Sequence, residues 1–294
     1  MSFNSFVLFV LFVSGGRRGL WVALMFGARW SGPVAEEAGN VSTAVQRLRH
    51  LRLAAVNIDG VLLNDTFSPV IRQMVVERGG EYTAEVEYAL LSQSQLVAAR
   101  VFAQAAGVSL SPRQVVDAYL EERERYLVRH PVRVVEGAAQ LLARLRGLGL
   151  RIVCYGGLDR AHFDRHLGGF AEFFDGPRYV CTDGFRPGIR EIVQDVFRLP
   201  CDRVLVVDDV ARVAEEACRL GVPFIGCPGD FEHGHQRALM EEAGVRHLVR
   251  SLREIDGQLL RTVDAEAAAG TFWGDTRPPG AAASGSEGAV RAGR

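Results

Sequence analysis

Two short segments of the chain place polar side chains directly after an apolar run. In Asn57-Ile-Asp59-Gly an amide and a carboxylate follow a run that begins at Leu53, and in Val-Val-Asp208-Asp209 two carboxylates end a similar run. Asn and Asp are common in turns, so each segment can also be an ordinary solvated turn. Two carboxylates at such a position favour a metal site or general acid–base chemistry, and we adopt that interpretation.

The apolar runs that carry these segments have the length and β-branched composition of buried strands. Strands are predicted over residues 53–58, 151–155, 179–182, 203–208 and 223–227. Helical patterns lie between them, over residues 138–145, 189–196 and 213–220. Single helices between strands indicate βαβ units and a parallel sheet. Because ligands of such sheets bind outside the carboxyl ends of the strands, we expect the polar segments to meet in one crevice.

Residues 67–130 interrupt this alternation with helical patterns only. A helix begins at Thr83, a second covers residues 93–106, and Ser111-Pro-Arg-Gln114 is a capping box that opens a third. The sequence therefore predicts a helical insertion after the first strand. Its two connections to the core contain proline and polar residues, a composition typical of hinges.

Taken in order, these segments resemble the motifs of the haloacid dehalogenase superfamily, in its phosphatase/phosphoglucomutase-like branch with a helical cap. That family has Asp-x-Asp-Gly after its first strand, Thr or Ser after its second, a later Lys-Pro, and an acidic pair after a late strand. The corresponding residues here are Asn57-Ile-Asp59-Gly60, Tyr155 or Gly156, Arg186-Pro187, and Asp208-Asp209. The likeness covers residues 51–260. It implies an α/β fold, a Rossmann-like parallel sheet core with a helical cap domain inserted after the first strand.

The resemblance implies a role for each matched residue. Active members use the first Asp as the nucleophile on phosphorus and the second as general acid and base, positions held here by Asn57 and Asp59. Arg186 stands at the position of the family's lysine. The implied substrate-binding residues are Tyr155, Gly156 and Gly157. The implied Mg²⁺ ligands are Asn57, Asp59, Asp208 and Asp209.

Asn57 departs from the family's pattern at its most important position. An amide is a negligible nucleophile beside a carboxylate, and it removes one negative charge from the implied metal site. The family chemistry is Mg²⁺-dependent hydrolysis of a small phosphorylated metabolite, and we expect it to be impaired here, with weaker Mg²⁺ binding. The alternative is a non-catalytic protein, a pseudoenzyme that binds a ligand or regulates a partner.

The charged residues exclude several classes of protein. The chain has 34 basic and 35 acidic residues, so it lacks the basic surplus of a nucleic-acid-binding protein, and no membrane partner is expected. All of the basic residues are arginine, which excludes Schiff-base lysine chemistry and the P-loop. The five cysteines stand singly without a CxxC pair, at positions 154, 181, 201, 218 and 227. Such spacing is typical of reduced thiols in a cytoplasmic protein.

Two pairs of histidines have spacings found in metal sites. His162 and His166 are four residues apart on a predicted helix, and His233 and His235 are two apart in a polar loop. Neither pair has a third ligand at a useful spacing. We therefore interpret His162 and His166 as part of an exposed amphipathic face.

The ends of the chain do not have the pattern of a domain. Residues 1–45 are predicted to be an N-terminal extension, whose apolar stretch Phe6–Val13 is much shorter than the roughly 20 residues that span a bilayer. Residues 270–294 are rich in Gly, Ala and Ser and are predicted to be a disordered tail. Between them the resemblance implies a core of residues 51–66 and 131–265 and a cap of residues 67–130.

Overall fold

A five-stranded parallel sheet forms the core of the computed structural model, which describes residues 47–273. The strands are β1 (Leu53–Asn57), β2 (Arg151–Gly156), β3 (Tyr179–Cys181), β4 (Val204–Asp208) and β5 (Phe224–Gly226). They lie in the order β3-β2-β1-β4-β5, and each neighbouring pair is parallel. Every predicted strand is present, and each bound lies within one residue of the prediction. The predicted fold class is confirmed.

Strand β1 lies at the centre of the sheet, where all of its residues are buried. Asn57 at its end is opposite Tyr155 of β2, and Val56 is opposite Val207 of β4. Since the three strands run in the same direction, the residues that follow them emerge at one edge of the sheet. This register brings the two polar segments of the sequence together with the residues that follow β2.

Four helices form the insertion between β1 and the rest of the core. They are α1 (Ser68–Glu77), α2 (Ala84–Leu90), α3 (Gln95–Ala105) and α4 (Pro112–Leu127). They pack on a hydrophobic cluster of their own, which includes Val70, Met74, Leu90, Phe102 and Val115. The predicted capping box of α4 is present, with Ser111 and Gln114 making both of its hydrogen bonds.

Helix α1 was not predicted from the sequence. Its first residues are capped from outside the helix, because Oδ1 of Asp65 accepts hydrogen bonds from the backbone N–H groups of Phe67 and Ser68. The usual signal, a capping side chain directly before the first helical residue, is therefore missing: Phe67 stands at that position.

The helices that cover the sheet are α5 (Ala138–Gly147), α6 (Arg160–Leu167), α7 (Ala211–Leu220), α8 (Gln236–Glu242) and α9 (Gly257–Ala269). Helix α7 ends at Gly221, whose φ of 70° is the left-handed conformation that favours glycine. The helix predicted over residues 189–196 is present, and its greater part, Glu191–Val196, is a π-helix. Ile192 and Val193 in this segment are completely buried.

The core extends to the last described residues. Phe272 is only 3% exposed, and the indole N–H of Trp273 donates to the carbonyl of Val222 at 2.8 Å. The predicted tail therefore begins too early at residue 270, because the two aromatic side chains pack on the sheet. The predicted extension over residues 1–45 and the remainder of the tail lie outside the described residues.

Within residues 47–273, no helix has the length and apolar character needed to cross a membrane. The five cysteines all lie in this part of the chain, where Cys154, Cys218 and Cys227 are buried and Cys181 is exposed.

Candidate functional site

Asn57, the last residue of β1, is buried and uses both ends of its side-chain amide. Its Oδ1 accepts a hydrogen bond from the backbone N–H of Ile58 at 2.9 Å. Its Nδ2 donates to the carbonyl of Asp59 and to Oδ1 of Asp209, each at 2.8 Å. One donor beside the oxygen and two acceptors beside the nitrogen fix the orientation of the amide.

The Asn57 amide thus joins two separate parts of the sheet edge. Its N–H group lies between a backbone carbonyl that follows β1 and a carboxylate that follows β4. Carbonyl and carboxylate oxygens are the ligands that Mg²⁺ takes in proteins. Here the two oxygens are bridged by hydrogen bonds from a neutral amide.

Asp208, the last residue of β4, is held by two hydrogen bonds. The hydroxyl of Tyr155 donates to its Oδ2, and the backbone N–H of Val210 donates to its Oδ1 at 2.8 Å. Burial raises the pKa of Asp208 to about 6, and the two hydrogen bonds limit the rise because they stabilise the charged form. The Tyr155 phenol is itself fully buried, so it serves Asp208 and does not face a ligand.

Asp209 packs directly against Gly60. A Cβ atom on Gly60 would lie 1.9 Å from Oδ2 of Asp209, and the glycine has a φ of 89° that other residues rarely adopt. Burial, together with the adjacent Asp208 carboxylate, raises the pKa of Asp209 well above its ordinary value. The glycine of the first motif therefore makes room for the carboxylate of the last.

Asp59 lies within hydrogen-bond distance of a histidine that sequence reasoning placed elsewhere. Oδ1 of Asp59 lies 2.8 Å from Nε2 of His162, and both side chains are largely buried. The prediction that His162 belongs to an exposed face is wrong, because α6 follows β2 and turns this residue towards the end of β1. The ring of His166 lies 4.9 Å from that of His162, and burial lowers the pKa of His166. Spacing alone gave no signal for this pairing.

The residues after β2 meet the side chain of Arg186. A Cβ atom on Gly157 would lie 2.1 Å from Nη2 of Arg186, so the guanidinium occupies the space beside this glycine. A Cβ atom on Gly156 would lie 2.3 Å from Cγ2 of Ile58. Of the three residues implied to bind substrate, Gly157 lines the cavity described next, whereas Tyr155 and Gly156 do not.

A cavity of about 200 Å³ lies between this edge of the sheet and the helical insertion. From the core it is lined by Asn57, Asp59, Gly157, Arg186 and Asp209. From the insertion it is lined mostly by apolar side chains of α1, α2, α3 and α4. Its further polar residues include Asp65, Ser92, Tyr119 and Asp183, which sequence reasoning did not single out.

The residues implied to hold Mg²⁺ do not fit that ion in the observed arrangement. The Asn57 oxygen is taken up by a backbone N–H, and its nitrogen presents hydrogens to the carbonyl of Asp59 and to Asp209. Asp208 is occupied by Tyr155 and a backbone N–H. Within residues 47–273, no group of three or more His, Cys, Asp and Glu side chains is arranged to hold a metal. Mg²⁺ needs oxygen ligands around an open position, and this donor set offers N–H groups instead.

Comparison with known proteins gives matches among solved structures only. No protein-family profile and no curated protein sequence matches this chain. A haloacid dehalogenase-like protein of unknown function from Agrobacterium tumefaciens is 19% identical, with a TM-score of 0.53 over 72% of this chain and 99% of that one. β-Phosphoglucomutase from Clostridium difficile is 12% identical, with a TM-score of 0.56 over 74% and 99%.

A haloacid dehalogenase family hydrolase from Deinococcus radiodurans, solved with bound phosphate and sodium, is 19% identical. Its TM-score is 0.50 over 74% of this chain and 96% of that one. At these identities the matches show the fold. The chain has the fold of haloacid dehalogenase-like hydrolases and β-phosphoglucomutases, as the order of its motifs indicated.

Proposed function

We propose that this protein, which has a haloacid dehalogenase-like fold, binds a small molecule and does not catalyse phosphoryl transfer. The observation that carries this proposal is the Asn57 amide, which bridges the carbonyl of Asp59 and the carboxylate of Asp209. The related structures include phosphate-binding and phosphoglucomutase proteins, which supports a small-molecule ligand in the same crevice.

The absence of a nucleophile follows from the chemistry of the side chain. In-line attack on phosphorus needs an anionic oxygen, and Asn57 has a neutral amide oxygen that accepts a backbone hydrogen bond. Turning the amide over would set its oxygen against the Asp209 carboxylate and its N–H₂ group against the N–H of Ile58. The site therefore disfavours the arrangement that phosphoryl transfer requires.

The hydrogen bonds of the bridging amide also stabilise the site in the absence of a divalent cation. In a magnesium-dependent site the metal offsets the repulsion between clustered oxygens. Here the side-chain N–H groups of Asn57 donate hydrogen bonds to two of those oxygens, and the hydroxyl of Tyr155 donates to a third, on Asp208. We therefore expect Mg²⁺ to bind weakly and not to be needed for folding or ligand binding.

A second candidate function is supported by the pair of Asp59 and His162. Asp59 lines the cavity, and the 2.8 Å contact with His162 holds its carboxylate in place. A carboxylate oriented in this way can act as a general base towards water. This arrangement suits a slow hydrolysis that proceeds by direct attack of water and without an intermediate on residue 57.

The two candidates are separated by assays of the wild type and two variants. We expect wild-type protein, Asp59→Asn and the control variant Asp183→Asn to show the same background hydrolysis of p-nitrophenyl phosphate and of a panel of sugar phosphates, with or without Mg²⁺. Asp183 is a matched control because it is a second carboxylate of the same cavity. Wild-type turnover that is lost in Asp59→Asn and kept in Asp183→Asn would contradict the non-catalytic proposal and support the second candidate.

A further inference from the structure

The cavity between the insertion and the sheet edge is apolar over the side formed by the insertion. Ile71, Leu90, Phe102, Val115 and Leu120 line this wall. An apolar cavity of roughly 150 Å³ is large enough to hold benzene. The volume of about 200 Å³ therefore suits an aromatic ring or a branched hydrocarbon with a small substituent.

Arg186 gives the opposite side of the cavity a single positive charge. It is the only basic residue among the described residues that line the cavity. It forms no ion pair or hydrogen bond with any residue between 47 and 273, and its Nε is buried without a partner. An arginine side chain stays charged in proteins, and this charge limits the rise in the pKa of Asp208, although no described carboxylate forms a direct ion pair with it. An anionic group on the ligand can therefore form the direct pair that the described residues do not supply.

Four carboxylates limit the charge of that anion. Asp59, Asp65, Asp183 and Asp209 line the same cavity as Arg186. A phosphate dianion would meet these side chains with one guanidinium to balance it and without a metal ion. A carboxylate carries a single charge, and its planar pair of oxygens matches the two parallel N–H groups of a guanidinium. The electrostatics therefore favour a monocarboxylate over a phosphate ester.

Two hydroxyl groups of the insertion also lack partners. The hydroxyl of Tyr119 and Oγ of Ser92 are buried and make no hydrogen bond within the described part of the chain, although both residues line the cavity. Ser92 has a φ of 54°, a left-handed conformation that costs energy for a residue other than glycine. Buried polar atoms normally have partners. A polar substituent on the ligand would supply one.

We propose that the cavity binds a small monocarboxylate with an aromatic or branched apolar body and a second polar group, such as a hydroxyl. The carboxylate pairs with Arg186, the body lies against the apolar wall of the insertion, and the second polar group meets Tyr119. This inference rests on the proposed non-catalytic function, since it assigns a ligand class to the same site.

Calorimetry on the full chain with simple probes tests this assignment without any variant. We expect 4-hydroxyphenylacetate to bind at least about tenfold more tightly than its neutral amide, 4-hydroxyphenylacetamide, and than phenyl phosphate, since one such step corresponds to losing a single charge-assisted pair. Equal binding of the acid and its amide, or tighter binding of phenyl phosphate, would overturn the proposal, as would no detectable binding of 4-hydroxyphenylacetate.

Two variants locate the probe in the cavity. Arg186→Gln is expected to abolish the preference for the acid over the amide, whereas Arg190→Gln, an exposed arginine of the same segment, is expected to keep it. Tyr119→Phe is expected to remove the preference for 4-hydroxyphenylacetate over phenylacetate. Unchanged preferences in both variants would place the probe elsewhere and contradict the assignment. If the binding experiments contradict the assignment and the wild type shows no phosphatase activity, only the proposed ligand class is rejected. Phosphatase activity of the wild type would instead reject the proposed non-catalytic function.

Discussion

The carboxylate of Glu87 and the side-chain amide of Gln236 meet at 2.6 Å across the boundary between the helical insertion and the core. Glu87 also accepts the backbone N–H of His235, and Oε1 of Gln236 accepts the backbone N–H of Ala211 at 2.7 Å. Since Ala211 begins α7 two residues after Asp209, this buried network ties the insertion to the candidate site. These hydrogen bonds keep the insertion in place over the cavity.

Removal of this network is expected to loosen the insertion. Glu87→Ala leaves the side chain of Gln236 and a backbone N–H without their acceptor, so it should lower the free energy of unfolding by about 3 kcal/mol. Hydrogen exchange of α2 and α8 should also become faster. Urea denaturation and exchange measurements check both effects. Glu85→Ala, an exposed change on the same helix, is the matched control. Equal effects of the two changes would show that the hydrogen bonds of Glu87 do not hold the insertion on the core.

Gly60 offers a test of the close packing beneath Asp209. Gly60→Ala combines a left-handed backbone with a contact of 1.9 Å to the carboxylate, so we expect a loss of about 3 kcal/mol in stability. Gly79→Ala has a similar φ of 82° but open space around its Cβ, so about 1 kcal/mol is expected. Thermal or urea unfolding of both variants measures the difference. Losses of the same size would mean that Asp209 moves aside without cost.

The raised pKa of Asp208 gives stability a particular dependence on pH. An acid whose pKa is about 6 in the folded protein and near 3.8 when unfolded binds its proton more tightly when folded. Its contribution to stability is therefore largest below pH 4, falls as the pH rises to about 6, and changes no further above that. The difference in unfolding free energy between wild type and Asp208→Asn should follow this course between pH 4 and 7. A difference that stays constant, or that grows in favour of the wild type as the pH rises, would contradict it.

Much of the sheet was predictable because its strands carry a strong local signal. Buried parallel strands are continuous apolar runs, so their bounds came within one residue, and their order placed Asn57, Asp208 and Gly157 at one edge. The capping box at Ser111 was equally local. The resemblance of the motifs supplied the insertion's role as a cap, which periodicity alone does not give.

The contacts that define the site were not predictable, because they join residues distant in sequence. The pairing of His162 with Asp59 depends on how α6 crosses the sheet, and its helical spacing from His166 suits an exposed face equally well. Strand alternation shows that Tyr155 is buried but does not show that its hydroxyl meets Asp208. Tyr155 or Gly156 in place of the family's Thr or Ser gave no indication that Arg186 fills the space beside Gly157.

The Asn57 amide is proposed to take the place of a cation in this site, and unfolding of the Asn57→Asp variant with and without Mg²⁺ tests this role most directly. In EDTA this variant sets a new buried carboxylate beside Asp209, so it should be less stable than wild type by about 3 kcal/mol. Asn64→Asp, whose Oδ1 keeps the hydrogen bond from the backbone of Arg133, is the control and should lose much less.

Millimolar Mg²⁺ should restore most of the stability of Asn57→Asp, because the new carboxylate and Asp209 then present the charged oxygens that the ion prefers. The wild type should be unchanged by Mg²⁺. Wild-type protein that Mg²⁺ stabilises to the same extent, or an Asn57→Asp variant as stable as wild type in EDTA, would show that the amide does not replace a cation.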